Sequence, residues 1–144
     1  MRSPVQSVEV SYLVHSTEDV AIIASAVEKA IGARPEARVT ELEGYYGNRI
    51  LHVSYFLTGE EAASAFSSLT AMLSREEKTR ILGELGSLMD EHSALYLRLN
   101  KGELVSGKGS LGTGETVRVK VKPRLFQMSG GAEEFYRRAL EGGL

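Results

Sequence analysis

The chain has 144 residues, 42% of them hydrophobic and 25% charged, with a net charge of −2, no tryptophan and no cysteine. That balance suits one domain burying roughly 70% of its unfolded surface in an ordinary core, and it argues against wholesale disorder. The lack of cysteine excludes disulfides, thiolate metal sites, iron–sulfur clusters and cysteine nucleophiles. No apolar run approaches the roughly 18 residues of a membrane span. Gln6, Ser7 and Glu9 interrupt what would be the apolar core of a signal peptide. A soluble, cytoplasmic protein is the expectation.

Val8, Val10, Tyr12 and Val14 alternate with Glu9, Ser11, Leu13 and His15, which predicts a half-buried strand. Ser16-Thr17-Glu18-Asp19 then reads as a helix start, with a hydroxyl for the cap and carboxylates at the positive end of the dipole. Ile22, Ile23, Ala26, Val27, Ala30 and Ile31 follow at helical spacing, and Gly32 and Pro35 end the run. A second strand is expected over Arg38–Glu43, a turn over Gly44-Tyr45-Tyr46-Gly47-Asn48, and a third strand over Ile50–Leu57. Thr58-Gly59-Glu60-Glu61 and Ser74-Arg75-Glu76-Glu77 are successive capping boxes that open helices reaching Leu73 and Met89. Gly83 and Gly86 weaken the second of these. Leu95, Leu97 and Leu99 mark a fourth strand, Gly102–Gly114 a flexible connection, and Val117, Val119 and Val121 a fifth strand closed by Pro123. A short amphipathic stretch, Ala132–Leu140, ends the chain.

The order β-α-β-β-α-α-β-β plus a C-terminal helix predicts an α+β fold. One mixed, mostly antiparallel sheet of about five strands would carry helices on one face and leave the other partly free. Residues 1–124 are taken as the domain and 125–144 as a tail.

Charge is unevenly distributed. Residues 1–93 carry 8 Lys/Arg against 14 Asp/Glu, whereas residues 94–124 carry 7 against 2. Period-2 geometry places Arg118, Lys120 and Lys122 on one face of the fifth strand at intervals of about 6.6–7 Å. Tyr96, Arg98 and Asn100 share the polar face of the fourth. Were the two strands neighbours, these residues would form one cationic patch with an aromatic ring. Cations so spaced suit phosphates, and a ring beside them suits an unpaired base, which favours single-stranded or irregular RNA over a regular duplex. Alternating Val and Lys/Arg is also what any half-exposed strand looks like, and edge lysines discourage aggregation. The regional charge and the neighbouring Arg98 and Tyr96 tilt the balance towards RNA.

Tyr46, Asn48 and Arg49 in the turn are a second candidate contact, one for a base and two for hydrogen bonds to a base edge or phosphate; a tyrosine that merely staples the loop is the competing reading. Lys101 extends the basic set.

Catalysis is poorly supported. His15, His52 and His92 show no metal-ligand spacing. His15, Ser16 and Asp19 resemble a hydrolase triad only superficially, since Ser16 and Asp19 serve as helix-cap chemistry. A phosphodiesterase using His15 and Glu18 is a distant third reading. Glu60/Glu61 and Glu76/Glu77 are first-turn residues. The glycines at 107, 109, 112 and 114 run into a strand rather than a helix, which defeats a dinucleotide-loop reading. No metal or cofactor is expected.

Val14-His15-Ser16-Thr17-Glu18-Asp19, Gly44-Tyr45-Tyr46-Gly47-Asn48, Leu95–Lys101 and Val117–Lys122 occur in an order and spacing that resemble an archaeal family of small RNA-binding proteins described as predicted exosome subunits. Their fold is similar to that of the large-subunit ribosomal protein that contacts 5S ribosomal RNA. The resemblance covers about residues 5–123. It implies helices on one side of a mixed sheet, no enzymatic activity, and a role in RNA processing or with ribosomal RNA, with exosome or ribosome-associated proteins as further partners and no membrane. Members often have His-Tyr or His-His at Tyr45-Tyr46 and Asp at Asn100, so no role needing a histidine or carboxylate is carried over to those positions. The rival to direct RNA binding is a protein-interaction subunit of an RNA-processing complex, because Phe135, Tyr136, Ala139 and Leu140 share one helical face that could enter a partner's groove. The same face could instead cover its own domain. A homodimer stays open.

Overall fold

The computed structural model describes residues 4–44, 46–124 and 131–141. Tyr45, which belongs to the expected turn, lies outside them. Strands β1 (Val5–His15), β2 (Arg38–Glu43), β3 (Arg49–Thr58), β4 (Leu95–Asn100) and β5 (Thr116–Pro123) form one sheet in the order β2-β3-β1-β5-β4. Every strand pairing is antiparallel. The parallel component expected of a mixed sheet is limited, among the described residues, to an isolated bridge between Leu73 and Gly109.

The alternation in the sequence becomes two faces. Val8, Val10, Tyr12 and Val14 of β1 are buried with Val53, Tyr55 and Leu57 of β3, Leu97 and Leu99 of β4, and Val117, Val119 and Val121 of β5. Helices α1 (Val20–Ile31), α2 (Gly59–Met72) and α3 (Arg75–Gly83), the single turn α4 (Leu85–Leu88), and α6 (Gly131–Glu141) add Ile23, Val27, Ile31, Phe66, Leu69, Ile81, Leu85, Tyr136 and Leu140 to the same core. Among the described residues, no helix packs on the opposite face of the sheet, whose side chains along β4, β5 and the Glu9–His15 stretch of β1 are exposed or half-buried. All six residues of β2 are exposed, so the sheet extends past the helical layer at that edge.

Helix ends follow the expected chemistry only in part. Asp19, not a hydroxyl, caps α1 by accepting from the Ala21 and Ile22 amides at 2.9 and 3.4 Å. Gly32 closes α1 at φ 66°, the left-handed conformation that glycine adopts freely. Ser74 caps α3 by accepting from the Glu77 amide, but Thr58 makes no side-chain cap bond to α2. The weakness anticipated at Gly83 is a break, which separates α3 from α4.

The glycine-rich connection is structured. Its first half is α5 (Lys101–Val105), capped by Asn100, whose side chain accepts from the Glu103 amide at 2.8 Å. Its second half runs back along the outer edge of β4, where Asn100 donates to Ser110 and Gly112 to Arg98. A Cβ on Gly112 would stand 2.9 Å from that of Asn100, so only glycine permits this approach. The segment covers an edge that would otherwise be open to pairing.

Helix α6 is no appendage. Tyr136 and Leu140 are fully buried, Phe66 packs against Phe135 and Tyr136, and the Tyr136 hydroxyl donates to the Ser93 carbonyl at 2.8 Å and lies 3.3 Å from that of Val121. The apolar face read as suited to a partner's groove thus covers its own domain, and position 124 does not end the core.

Candidate nucleic-acid interface

Strands β4 and β5 are neighbours, in a register that sets Tyr96 across from Lys120, Arg98 across from Arg118, and Asn100 across from Thr116. Odd-numbered leucines on β4 and valines on β5 point into the core, so Tyr96, Arg98, Arg118, Lys120 and Lys122 stand together on the helix-free face. Strand β1 continues this face. Ser7 faces Lys122, Glu9 faces Lys120, and Ser11 faces Arg118.

The Tyr96 ring is held from two sides. Its hydroxyl donates to Asp90 Oδ2 at 2.9 Å, and Lys120 Nζ lies 5.6 Å from its centroid, within cation–π range. Amides also donate to Asp90. That from Ala94 contributes most, opposed by partial desolvation, and with Tyr96 and His92 they keep the carboxyl below its ordinary pKa. Tyr96 remains 41% exposed, an oriented ring with a cation beside it.

The cations are not neutralised by the acidic helices. Among the described residues, Arg98, Arg118, Lys120 and Lys122 take part in no ion pair, Glu9 included. Opposed like charges on adjacent strands destabilise a sheet, so the register that sets Arg98 against Arg118 works against strand pairing at that point.

Lys101 does not join this set. It is 4% exposed, and its amine donates to the Leu13 carbonyl (2.9 Å), Glu18 (2.8 Å) and Glu115 (3.1 Å). Its cationic group is internal, tying α5 to the end of β1. Burial pushes the Glu18 carboxyl up, but hydrogen bonds from Lys101 and the His15 amide outweigh it and hold the group below its usual value. The Lys101 hydrogen bond lowers Glu115 in the same way, more than desolvation raises it. His15 Nε2 stands 3.3 Å from Glu115. His15, Glu18 and Glu115 have the donor types for a cation, and Lys101 occupies the place one would take. The same contacts engage the Glu18 carboxylate that the phosphodiesterase reading needed.

Tyr46, Asn48 and Arg49 lie on the β2–β3 hairpin, separated from β5 and β4 by β1. Tyr46 is 89% exposed at the tip. Gly44 donates to the Asn48 carbonyl, which closes the turn, and Arg49 pairs with Glu41 at 3.2 Å. Arg49 shares the side of the sheet on which Val53 is buried, so it points away from the basic face.

Two residues missed in the sequence complete the helix-free face: Arg38, across from Ser54, and Phe56, across from Glu9. Ile50–Leu57 is apolar nearly throughout, which hides its alternation. Phe56 nonetheless shares the parity of His52 and Ser54, and that was the available signal.

Several known proteins are similar to this chain. The RNA-binding protein PAB1135 of Pyrococcus abyssi is 28% identical over 129 residues, 85% of this chain and 84% of that protein. The crystal structure of protein AF2318 from Archaeoglobus fulgidus superposes with a TM-score of 0.79 at 28% identity, covering 94% of this chain and 99% of that one. Protein SSO0741 from Sulfolobus solfataricus, 22% identical, shares the fold with a TM-score of 0.78 over 96% of this chain and 99% of its own. Residues 7–123 match the model of a family described as RNA binding, so the chain belongs to that RNA-binding family.

Proposed function

We propose that the helix-free face of the sheet binds single-stranded or irregular RNA, without catalysis. Arg98, Arg118, Lys120 and Lys122 meet phosphates and Tyr96 stacks on a base. The observation that carries this reading is the opposition of Arg98 and Arg118, neither of which, among the described residues, is paired with a carboxylate. A polyanion relieves that repulsion, and release of its condensed counterions supplies affinity. Membership of the RNA-binding family and the name of the Pyrococcus relative support it. Tyr46 and Asn48 at the hairpin tip offer a separate, smaller contact. A role in archaeal RNA processing or with ribosomal RNA belongs to this reading; the resemblance to predicted exosome subunits and the archaeal origin of the relatives are what support it.

The test is the affinity for a single-stranded oligoribonucleotide across a salt series. Four phosphate contacts require log affinity to fall with log salt at a slope near −2.8, about −0.7 for each. A flat dependence overturns the proposal.

A further inference from the structure

The register of the whole sheet orders the helix-free face into two rows running across the strands. One row reads Tyr96, Lys120, Glu9, Phe56 over β4, β5, β1 and β3. The next, two residues along each strand, reads Arg98, Arg118, Ser11, Ser54, Arg38 and reaches β2. Phe56 is 65% exposed, an unusual position for a phenylalanine on a sheet face with a complete core behind it. Arg38 is exposed and, among the described residues, in no ion pair.

From this we infer that Phe56 is a second base-stacking platform, and that one RNA strand enters past Lys122 and Lys120, which meet its first phosphates beside Tyr96, and then crosses the sheet to Phe56 with its remaining phosphates along the arginine row. The inference rests on the RNA reading above and deepens it by giving the path and the minimum length of the ligand. Charge placement argues for RNA as occupant. The arginine row contains only cations and hydroxyls, whereas Glu9 stands in the middle of the ring row and repels phosphates from it. The sugar–phosphate backbone is thereby directed along one row and the bases along the other. Three inter-strand gaps put the two rings about 14 Å apart, and the arginine row spans four gaps, about 19 Å. Sheet twist of about 20–25° per strand rotates the outward direction of the side chains by roughly 60–75° about this path between the rings. A flexible single strand follows such a path and a rigid duplex does not. A dinucleotide is too short to reach both rings, and an octanucleotide is not.

Because the chain has no tryptophan, Phe56→Trp introduces a single indole at the second ring, which can be excited selectively over the tyrosines. The probes are diuridine and octauridine. Octauridine is expected to quench the introduced tryptophan, and Phe56→Ala to weaken octauridine binding about tenfold while leaving its salt slope and the binding of diuridine unchanged. If octauridine binds the native protein but Phe56→Ala has no effect and the tryptophan is not quenched, the second platform is wrong and the RNA reading stands. If octauridine does not bind the native protein, both fall. If Phe56→Ala instead abolishes a concentration-dependent dimer with RNA binding untouched, the ring belongs to a contact between copies of this chain, and the inference is overturned.

Discussion

At the residue scale, Arg98 and Arg118 hold opposite places with no acid between them. Folding alone would select a threonine or a carboxylate at one of the two, since directly opposed like charges lower sheet stability. Arg98→Thr keeps strand propensity and removes the repulsion. It is therefore expected to raise stability in urea titrations by roughly 0.2–1 kcal/mol. It should also weaken single-stranded RNA binding and reduce the steepness of its salt dependence by about 0.7. A loss of stability with unchanged RNA affinity would mean that Arg98 is there for the fold. The alternation of Val117–Lys122 and Leu95–Asn100 shows in the sequence which side chains face outward, but not which residue opposes which. A slip of two residues keeps every face and changes every pair. The opposition therefore had to be seen. Lys101 fails for a different reason. The groups that bury its amine, Leu13 and Glu18, lie 88 and 83 residues away, so next to β4 it reads as one more surface cation.

At the element scale, the junction of β1, α1 and α5 depends on that lysine. Glu18 and Glu115 have their carboxyls held below the ordinary value of 4.5 in the folded protein. Groups depressed in this way contribute stability that is complete above the unfolded value and is lost as pH falls through the folded values. Lys101→Met removes the donor while keeping the length and apolar stem. At neutral pH it is expected to cost about 1–3 kcal/mol, because the Leu13 carbonyl loses its donor, while both carboxylates can still turn to water. Urea midpoints measured from pH 7 down to about pH 3 should then fall less steeply for the variant than for the native chain. Parallel curves would show that the carboxylates are depressed by something other than Lys101. Legibility at this scale follows how local the cause is. Strands β1, β4 and β5 and helices α1 and α2 announce themselves by periodicity within their own residues, and β3 by its β-branched and aromatic content. Helix α5 hides behind the glycines of 102–114, although Asn100 and Glu103 already have the spacing of a cap. The amphipathic face of α6 is plain, yet what it covers depends on Phe66 and Val121, far away in the chain.

At the scale of the whole molecule, a net charge of −2 conceals a segregated field, with the acidic excess on the first 93 residues and the basic excess on β4 and β5. Steering of a polyanion depends on the local face once salt screens the rest. The Debye length is about 8 Å at 0.15 M and about 30 Å at 0.01 M. Lys122 on the basic face and Arg75 at the start of α3, in the helical layer behind the sheet, are both exposed. Lys122→Gln and Arg75→Gln change the net charge identically. At 0.15 M salt, stopped-flow association with octauridine is expected to slow for Lys122→Gln and to stay at the native rate for Arg75→Gln. At 0.01 M the longer screening length lets the far charge act too, and the two variants should converge on a similar slowing. Equal effects at the higher salt would mean that overall charge, rather than the face built by β4 and β5, governs encounter. The proposed interface would then have lost its kinetic signature.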